Sequence, residues 1–321
     1  MRSQQETEME IFEVLQPGAY TTIQDRGRFG YQQYGVPVCG RVDPFAYEVA
    51  NALVGNFEGH AVLEATVLGP TLKVTGRGLM AVTGGDLTPL LNNMPLPMWE
   101  SVSIQPGDMI QFKGLKSGCR AYVAVAGGID VPVVMGSRST YVAGMIGGVD
   151  GRPLAAGDRL MKGKGAGKAG VRVPSDLVPA YPKELEIRVI LGPQDDYFHE
   201  GIERFLSTTF RVSPKADRMG CRLEGDPIKH REGVEKSIIS EPSVPGGIQV
   251  PADGQPIILL VEQTVGGYTK IATVISSDIG KVGQAKTGDR IRFRQVALEE
   301  AHRILKMEEE KIQTITRSIA I

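Results

Sequence analysis

"TGDRIRF", Thr287 to Phe293, sets a Gly-Asp turn directly before an alternating run of charged and apolar residues. Two further segments repeat the pattern, "PGDMIQF" (Pro106 to Phe112) and "AGDRLM" (Ala156 to Met161). Glycine supplies the positive φ of a tight turn and aspartate bonds to nearby backbone, so each segment reads as a turn entering a strand. Such turns are common in hairpins, which would account for the echo on its own; the sharper alternative is a pair of related β-barrels. Other short runs have the same character: "EIFEVL" from Glu10, "TLKVT" from Thr71, "CRAYVAVAGG" from Cys119, "LEIRVILG" from Leu185 and "PIILLVEQT" from Pro256. Each is bounded by Gly, Pro or Asp, the signature of strands and turns.

Helices are few, so the expected fold class is mainly β with a few helices (α+β). "DPFAYEVANALVGN" offers Asp43 as N-cap, Pro44 at the first helical position and a stop near Gly55. Phe45, Val49 and Leu53 share one face, as for a helix packed on a barrel. A second helix is expected after Asp195, in "DDYFHEGIERFL". The last, from Ala297, carries Ala301, Ile304 and Leu305 as a narrow apolar stripe that could dock on the body or on another subunit.

With 321 residues the chain has room for two domains of roughly 150 residues each. We expect a first β-barrel domain over residues 9–165, a second over 183–296, and a C-terminal helix over 297–321. The small, basic stretch "MKGKGAGKAGVRVPSDLVP" from Met161 reads as a linker or loop at the junction. It nearly spells a phosphate-binding loop, but the pattern ending on Gly167-Lys168 needs Gly at Lys162 and Ser or Thr at Ala169.

Thirty-six basic and 37 acidic residues leave a net charge of −1, which gives no electrostatic reason to expect nucleic acid or an anionic membrane as partner. Three scattered cysteines form no C-x-x-C pair, which argues against a disulfide framework or a thiolate zinc site. The N-terminus has no apolar signal core and no apolar run reaches about 18 residues, so a cytoplasmic location is expected. Four well-separated histidines show no metal-binding spacing, and no G-x-S-x-G elbow or dinucleotide fingerprint is present. No metal is expected, and no nucleophile declares itself.

What the sequence does offer is glycine-rich segments studded with polar residues. "TTIQDRGRFGYQQYGVPVCGRVD" holds Gln24, Asp25 and Arg28; it is either a surface loop with a weak local ion pair or a loop that brings backbone N–H groups to a ligand. "GSRST" places Arg138 between hydroxyls, with Ser137 before it, a setting that suits a carboxylate or phosphate. Arg218 and Arg222, four apart around Gly220, are equally readable as an anion site or a structural pair. Gln249 lies between apolar neighbours, as a satisfied core amide or as a reader of ligand amides. Finally, "QTVGGYTKIATVIS" (Gln263 to Ser276) puts Gly266 and Gly267 just before Tyr268 and Lys270 at the head of a strand. A glycine pair there marks a bulge or a close approach to the backbone.

Taken in order, "TTIQDRGRFGYQQYGVP", "DPFAYEVANALVGN", "LEATVLGPTL", "AVAGGIDVPVVMGSRSTY", "DRMGCRLEG", "GGIQVPADGQPI" and "GGYTKIATVIS" resemble one family. It is known as allophanate hydrolase subunit 2, as the C-type subunit of 5-oxoprolinase, or as biotin-dependent carboxyltransferase family proteins. The resemblance runs from about Ile11 to Phe293. It implies two cyclophilin-like β-barrel domains and action inside a complex. One implied activity is ATP-dependent opening of 5-oxoproline to glutamate, with a subunit-1-like protein (the B-type subunit of 5-oxoprolinase) and a lactam-utilisation-type third subunit as partners. Another is carboxyl transfer from biotin to urea or an amide, and a third, non-enzymatic one is regulation through a kinase-inhibitor-like subunit-1 partner. ATP would act at the level of the complex. Biotin would arrive on a partner protein, since the chain has no A-M-K-M-like attachment site, and a homo-oligomer is also open to it.

The resemblance implies that a small planar amide or lactam, or the ureido ring of biotin, approaches Gly266 and Gly267. Tyr268, Lys270 and Gln249 would be the catalytic donors, and Arg138, Ser137, Gln24, Asp25 and Arg28 would bind substrate. Arg138 and Lys270 are expected to share one cleft. The chain departs from the family pattern at Val261-Glu262, where an Asp-Arg pair is usual, at Pro242-Ser243, where a glycine-containing turn is common, and at Cys39, where serine is frequent.

Overall fold

The computed structural model describes residues 9–57 and 59–319. The chain forms two units. The first takes residues up to Phe29, Cys39–Ala180 and the chain from Lys311; the second takes Gly30–Val38 and Tyr181–Glu310.

The three Gly-Asp turns are one device used three times. Each glycine has positive φ, +97° at Gly107, +90° at Gly157 and +90° at Gly288. In each, the aspartate Oδ2 accepts from the backbone N–H three residues earlier: Asp108 from Gln105 at 2.9 Å, Asp158 from Ala155 at 2.7 Å and Asp289 from Lys286 at 3.0 Å. Each turn then clamps one valine of a neighbouring strand. Gly107 N donates to Val74 O and Val74 N to Asp108 O (2.9 and 2.8 Å), and Gly157 and Asp158 hold Val14 in the same way (2.8 and 2.9 Å). Gly288 and Asp289 hold Val212 at 2.9 and 2.8 Å. The carboxylate closes the turn, and the paired backbone bonds fix where it docks.

In the first unit a seven-stranded sheet runs in the order Ile129–Asp130, Arg159–Lys162, Glu10–Gln16, Thr71–Val74, Met109–Phe112, Pro89–Leu91, Met94–Pro95. A five-stranded sheet runs Tyr20–Gln24, Val62–Thr66, Ser117–Val125, Gly78–Asp86, Ser101–Ile104. Inward residues of both, such as Phe12, Val14, Leu72 and Ile110 from the first and Ile23, Leu63, Val82 and Val123 from the second, build one apolar core. The helix Pro44–Leu53 forms as its sequence signals: Asp43 Oδ1 accepts from Ala46 N at 3.1 Å, with Pro44 at the first position. Phe45, Val49 and Leu53 are buried, as are Ala46, Tyr47 and Ala50, so more than one stripe is covered.

The run from Met161 is a loop fixed to the first unit. A Cβ on Gly163 would come 2.4 Å from Gly127 O, one on Gly165 2.2 Å from Gly127 N, and one on Gly167 2.7 Å from Val54 O. These glycines permit backbone-to-backbone packing and leave no open cradle for a phosphate.

In the second unit the strands run Glu184–Leu191, Arg290–Gln295, Phe210–Val212, Gly220–Glu224, Ile257–Leu259, Gly247–Val250, Val265–Val274, and Glu184–Leu191 also pairs with Val265–Val274. The ring is therefore a closed barrel of seven strands, which removes its edges. Ser237–Pro242 adds to Val265–Val274 from outside the ring. The helix expected after Asp195 comes in two pieces, a 3-10 turn at Asp195–Tyr197 and a helix at Glu200–Ser207. They are separated by His199 at φ +39°, a conformation no helix contains. In the last helix, Leu298–Ile319, Ala301 and Ile304 pack on Ile275, Val296 and Ile190. No helix among the described residues is long and apolar enough to cross a membrane.

Candidate functional site

The second unit places Gln249 opposite Lys270 on the antiparallel strands Gly247–Val250 and Val265–Val274. The next partners are Ile248 and Ala272, so Ile271 is an extra residue and the strand bulges there. On the other side, Glu241 faces Gly266 and Pro242 faces Val265. Gln249, Lys270 and Ser243 are all buried.

Gly266 explains the glycine pair. A Cβ there would lie 2.2 Å from Gln249 Nε2 and 3.3 Å from Ser243 Oγ, so only a bare backbone admits the glutamine amide and the serine hydroxyl together. At Gly267 the nearest atoms to a Cβ are Ile238 O at 3.1 Å and Ser240 Oγ at 3.2 Å. Among the described residues, neither Ser243 Oγ nor Gln249 Nε2 has a hydrogen-bond partner. Lys270 Nζ meets Glu241 Oε1 at 2.5 Å. Its backbone N–H donates to Gln194 Oε1 at 2.9 Å. The Glu241 carboxyl is held below the usual carboxylate range, first by Lys270 and further by the Gln194 side chain. An unmet buried polar atom typically costs about 1–3 kcal/mol, which makes Ser243 Oγ and Gln249 Nε2 candidate contacts for a ligand or water.

Tyr268 alternates with Thr269 along the strand and is 45% exposed, outside the buried cluster. Thr269 Oγ1 lies 2.8 Å from His230 Nε2, and burial, with Lys236, pushes the His230 pKa down.

In the first unit Asp25 is a hub. Its Oδ1 accepts from Ser137 Oγ at 2.6 Å, Ser139 Oγ at 2.5 Å and Gly27 N at 2.8 Å, and its Oδ2 from Arg138 N at 2.6 Å. The loop around Arg138 is thus shaped by one carboxylate, whose lone pairs are spent on it. Arg28 is fully buried, giving Nη2–H to Ser139 O at 2.7 Å and Nε–H to Val134 O at 3.2 Å. Gln24 Nε2 donates to Thr22 Oγ1 at 2.9 Å and Thr140 O at 3.2 Å, and its Oε1 has no partner among the described residues. The Arg138 side chain gives Nε–H to Val131 O at 3.1 Å, with Nη2 3.5 Å from Asp130 Oδ1. Its guanidinium lines a cavity of about 320 Å³ with His60, Asp130 and Lys164. Arg138 belongs to the first unit and Lys270 to the second.

Arg218 and Arg222 part company. Arg218 is buried with Nε 2.6 Å from Glu262 Oε1, while Arg222 is exposed on its strand. Sequence reasoning passed over Glu241 and Gln194 and noticed Ser243 only as a departure from a pattern. Gln194 is 76 positions from Lys270, and no local periodicity links them. Among the described residues no group of three or more His, Cys, Asp or Glu is placed to hold a metal ion.

The chain is thus a mainly β protein, with a closed seven-stranded barrel in its second unit and two packed sheets in its first. The chain belongs to the family described as carboxyltransferase domain, subdomain A and B, whose model matches residues 34–295. It is 36% identical over 293 residues to the C-type subunit of 5-oxoprolinase from Escherichia coli (strain K12), covering 91% of this chain and 93% of that one. It is 34% identical to urea amidolyase of Lachancea kluyveri, covering 95% of this chain but 18% of that protein. The crystal structure of the Kluyveromyces lactis urea carboxylase matches with a TM-score of 0.89 at 32% identity, over 96% of this chain and 29% of that one. The chain is therefore related to subunits and segments of multi-part enzymes.

Proposed function

We propose that this chain is the C-type subunit of an ATP-dependent 5-oxoprolinase-like amidohydrolase, a complex that opens the C–N bond of 5-oxoproline or a related lactam. The observation that carries the reading is the pair Ser243 Oγ and Gln249 Nε2, buried against the bare backbone of Gly266 with no partner among the described residues, with Lys270 opposite Gln249 on the facing strand. As a lactam C–N bond is attacked, charge develops on the carbonyl oxygen, and preorganised donors aimed at that oxygen lower the barrier. Lys270 supplies the cation, and Gln249 and Ser243, seated over the bare backbone of Gly266, supply neutral hydrogen bonds. Tyr268, exposed next to them along the strand, offers its phenol as a further donor. In the first unit Arg138 offers an anion contact of its own, on a loop that Asp25, Ser137, Arg28 and Gln24 hold.

ATP supplies the driving force for opening an unstrained amide, and it is held by a partner. The near-miss phosphate loop of this chain has its glycines packed against Gly127 and Val54. The partners are a protein like the B-type subunit of 5-oxoprolinase and a lactam-utilisation-type third subunit, in the cytoplasm. The two expected barrel domains act together as this subunit, which is inactive alone.

A second reading, a carboxyltransferase subunit of a biotin-dependent urea or amide carboxylase, is favoured by the close superposition on urea carboxylase. The same donors suit the ureido carbonyl of biotin, which carries the carboxyl group when bound to a partner. Reconstitution separates the two. The chain, its B-type partner and the third subunit together should hydrolyse ATP in the presence of 5-oxoproline and release glutamate, whereas the chain alone should not. Carboxylation of urea with a biotinylated carrier, in a mixture that leaves 5-oxoproline untouched, would transfer the assignment to the second reading.

A further inference from the structure

We propose that the cavity lined by Gly127 and Gly128 in the first unit binds a small carboxylate, gripped by Arg138 and Lys164. All the residues that line it belong to that unit. Its volume, about 320 Å³, falls within the roughly 300–1,000 Å³ of small-molecule sites. The walls are firm because backbone packs on backbone. Gly163 N donates to Gly128 O at 3.1 Å, Ile129 pairs with Lys162 across two antiparallel strands, and Ile129 N donates to Ala61 O at 2.8 Å. His60 lines the cavity too, its ring set against bare Gly128, where a Cβ would come 2.9 Å from the ring Cδ2.

Arg138 is aimed before any ligand arrives. Its backbone N–H is held by Asp25 Oδ2 at 2.6 Å and its Nε–H by Val131 O at 3.1 Å. Nη2 stands 3.5 Å from Asp130 Oδ1, a long contact to a carboxylate that is itself half exposed, and Nη1 has no hydrogen-bond partner among the described residues. An orientation fixed in advance lowers the entropy cost of gripping a planar anion. Lys164, exposed, adds a second cation to the lining and has no ion pair among the described residues. Two cations against one loosely held carboxylate leave the lining with an excess of positive charge.

The backbone decides between anions. A phosphate site usually gathers several free backbone N–H groups. Here they are spent, Gly127 N on Asn56 Oδ1 at 2.7 Å, Gly128 N on Val125 O at 2.9 Å and Gly163 N on Gly128 O. Side chains alone therefore hold the ligand, and one guanidinium matches the two oxygens of a carboxylate with none left over. Asp130, on the same lining, can accept from a donor elsewhere in the ligand, such as the ammonium of an amino acid.

The proposal rests on the anion contact assigned to Arg138 above and not on the lactam chemistry assigned to the second unit, so its test uses the full-length chain alone and no activity. Isothermal titration calorimetry at low salt takes L-glutamate, acetate and inorganic phosphate as probes. Glutamate or acetate should bind, and more tightly than phosphate. Arg138→Gln should weaken that binding by about tenfold. Lys164→Met, at an exposed position where the fold does not depend on the side chain, should weaken it by about threefold. Arg222→Met, which removes an exposed cation of the second unit, should leave it unchanged. Urea unfolding checks that Arg138→Gln is folded. Binding of neither carboxylate, an affinity unmoved in both Lys164→Met and folded Arg138→Gln, or an equal loss in Arg222→Met overturns the proposal. Phosphate bound more tightly than both carboxylates overturns it as well. A reconstituted complex without 5-oxoproline turnover would reject the functional reading and leave this result standing.

Discussion

Arg218 Nε stands 2.6 Å from Glu262 Oε1, and Glu262 N donates to Arg218 O at 3.2 Å, so the two residues are tied by side chain and backbone at once. The arginine side chain is 4% exposed and the glutamate 12%. Removing one member of a buried pair takes away the charge that offsets the other's burial, at a typical cost of about 3–5 kcal/mol, whereas replacing both by apolar residues is often near neutral. Glu262→Ala should lose stability in that range by urea unfolding, and Arg218→Met combined with Glu262→Leu should recover most of it. A single variant within about 1 kcal/mol of wild type would mean that the pair carries little weight.

The Asp25 hub gives a second expectation. Asp25→Ala leaves two hydroxyls and one backbone N–H of the Arg138 loop, and the N–H of Gly27, without this acceptor, and Ser137→Ala removes one of the four donors. The first should destabilise the chain by several times the roughly 1 kcal/mol expected of the second. Amide hydrogen exchange at Arg138 reads the same event locally: protection should vanish in Asp25→Ala and persist in Ser137→Ala.

How much of this was legible beforehand depends on the range over which the signal acts. The Gly-Asp echo, the Asp43-Pro44 helix start and the strand runs are local patterns, and the structure carries them as read, down to a carboxylate bond repeated in all three turns. His199 interrupts the expected second helix because the chain turns there to bury Phe198 against His230, a tertiary demand with no periodic mark. The glycine pair at Gly266 was readable as a close approach, but not the identity of the visitor. Gln249 and Ser243 come from elsewhere in the chain. Glu262, taken in sequence as a reversed charge beside the site, answers Arg218, 44 positions away. Side-chain partnerships of that span leave no trace in composition or spacing.

The three turns should respond alike. Asp108→Ala removes the bonds from Gln105 N and Asn92 Nδ2, and Asp289→Ala those from Lys286 N and Lys286 Nζ, for a loss of about 1–2 kcal/mol measured by thermal or urea unfolding. Gly107→Ala and Gly157→Ala have open space at the Cβ, so their cost should be that of positive φ alone, about 1–2 kcal/mol. If the Gly107 and Gly157 variants differed widely from each other, the turns would not be equivalent.

Asp278 sets a pH dependence. Burial raises its carboxyl pKa, but Arg188 at 2.6 Å, Lys281 at 2.8 Å and the Arg188 backbone N–H outweigh burial and hold it below the usual value. A depressed pKa contributes stability that is present above the unfolded value, about 3.9, and is lost as pH falls through the folded one. Asp278→Asn should therefore be less stable than wild type at about pH 6, with the gap closing as the pH drops below about 4. A gap that is constant with pH would show that the charge of Asp278 is not what stabilises.

The most direct test of the central claim, that Lys270, Gln249 and Ser243 act on the substrate's amide oxygen, is turnover by the assembled complex carrying Lys270→Met, measured beside a pull-down of the partner subunits. Losing one preorganised donor should lower kcat by roughly 10²–10³-fold while the partners are retained at wild-type levels. Wild-type turnover in an intact Lys270→Met complex would contradict the account.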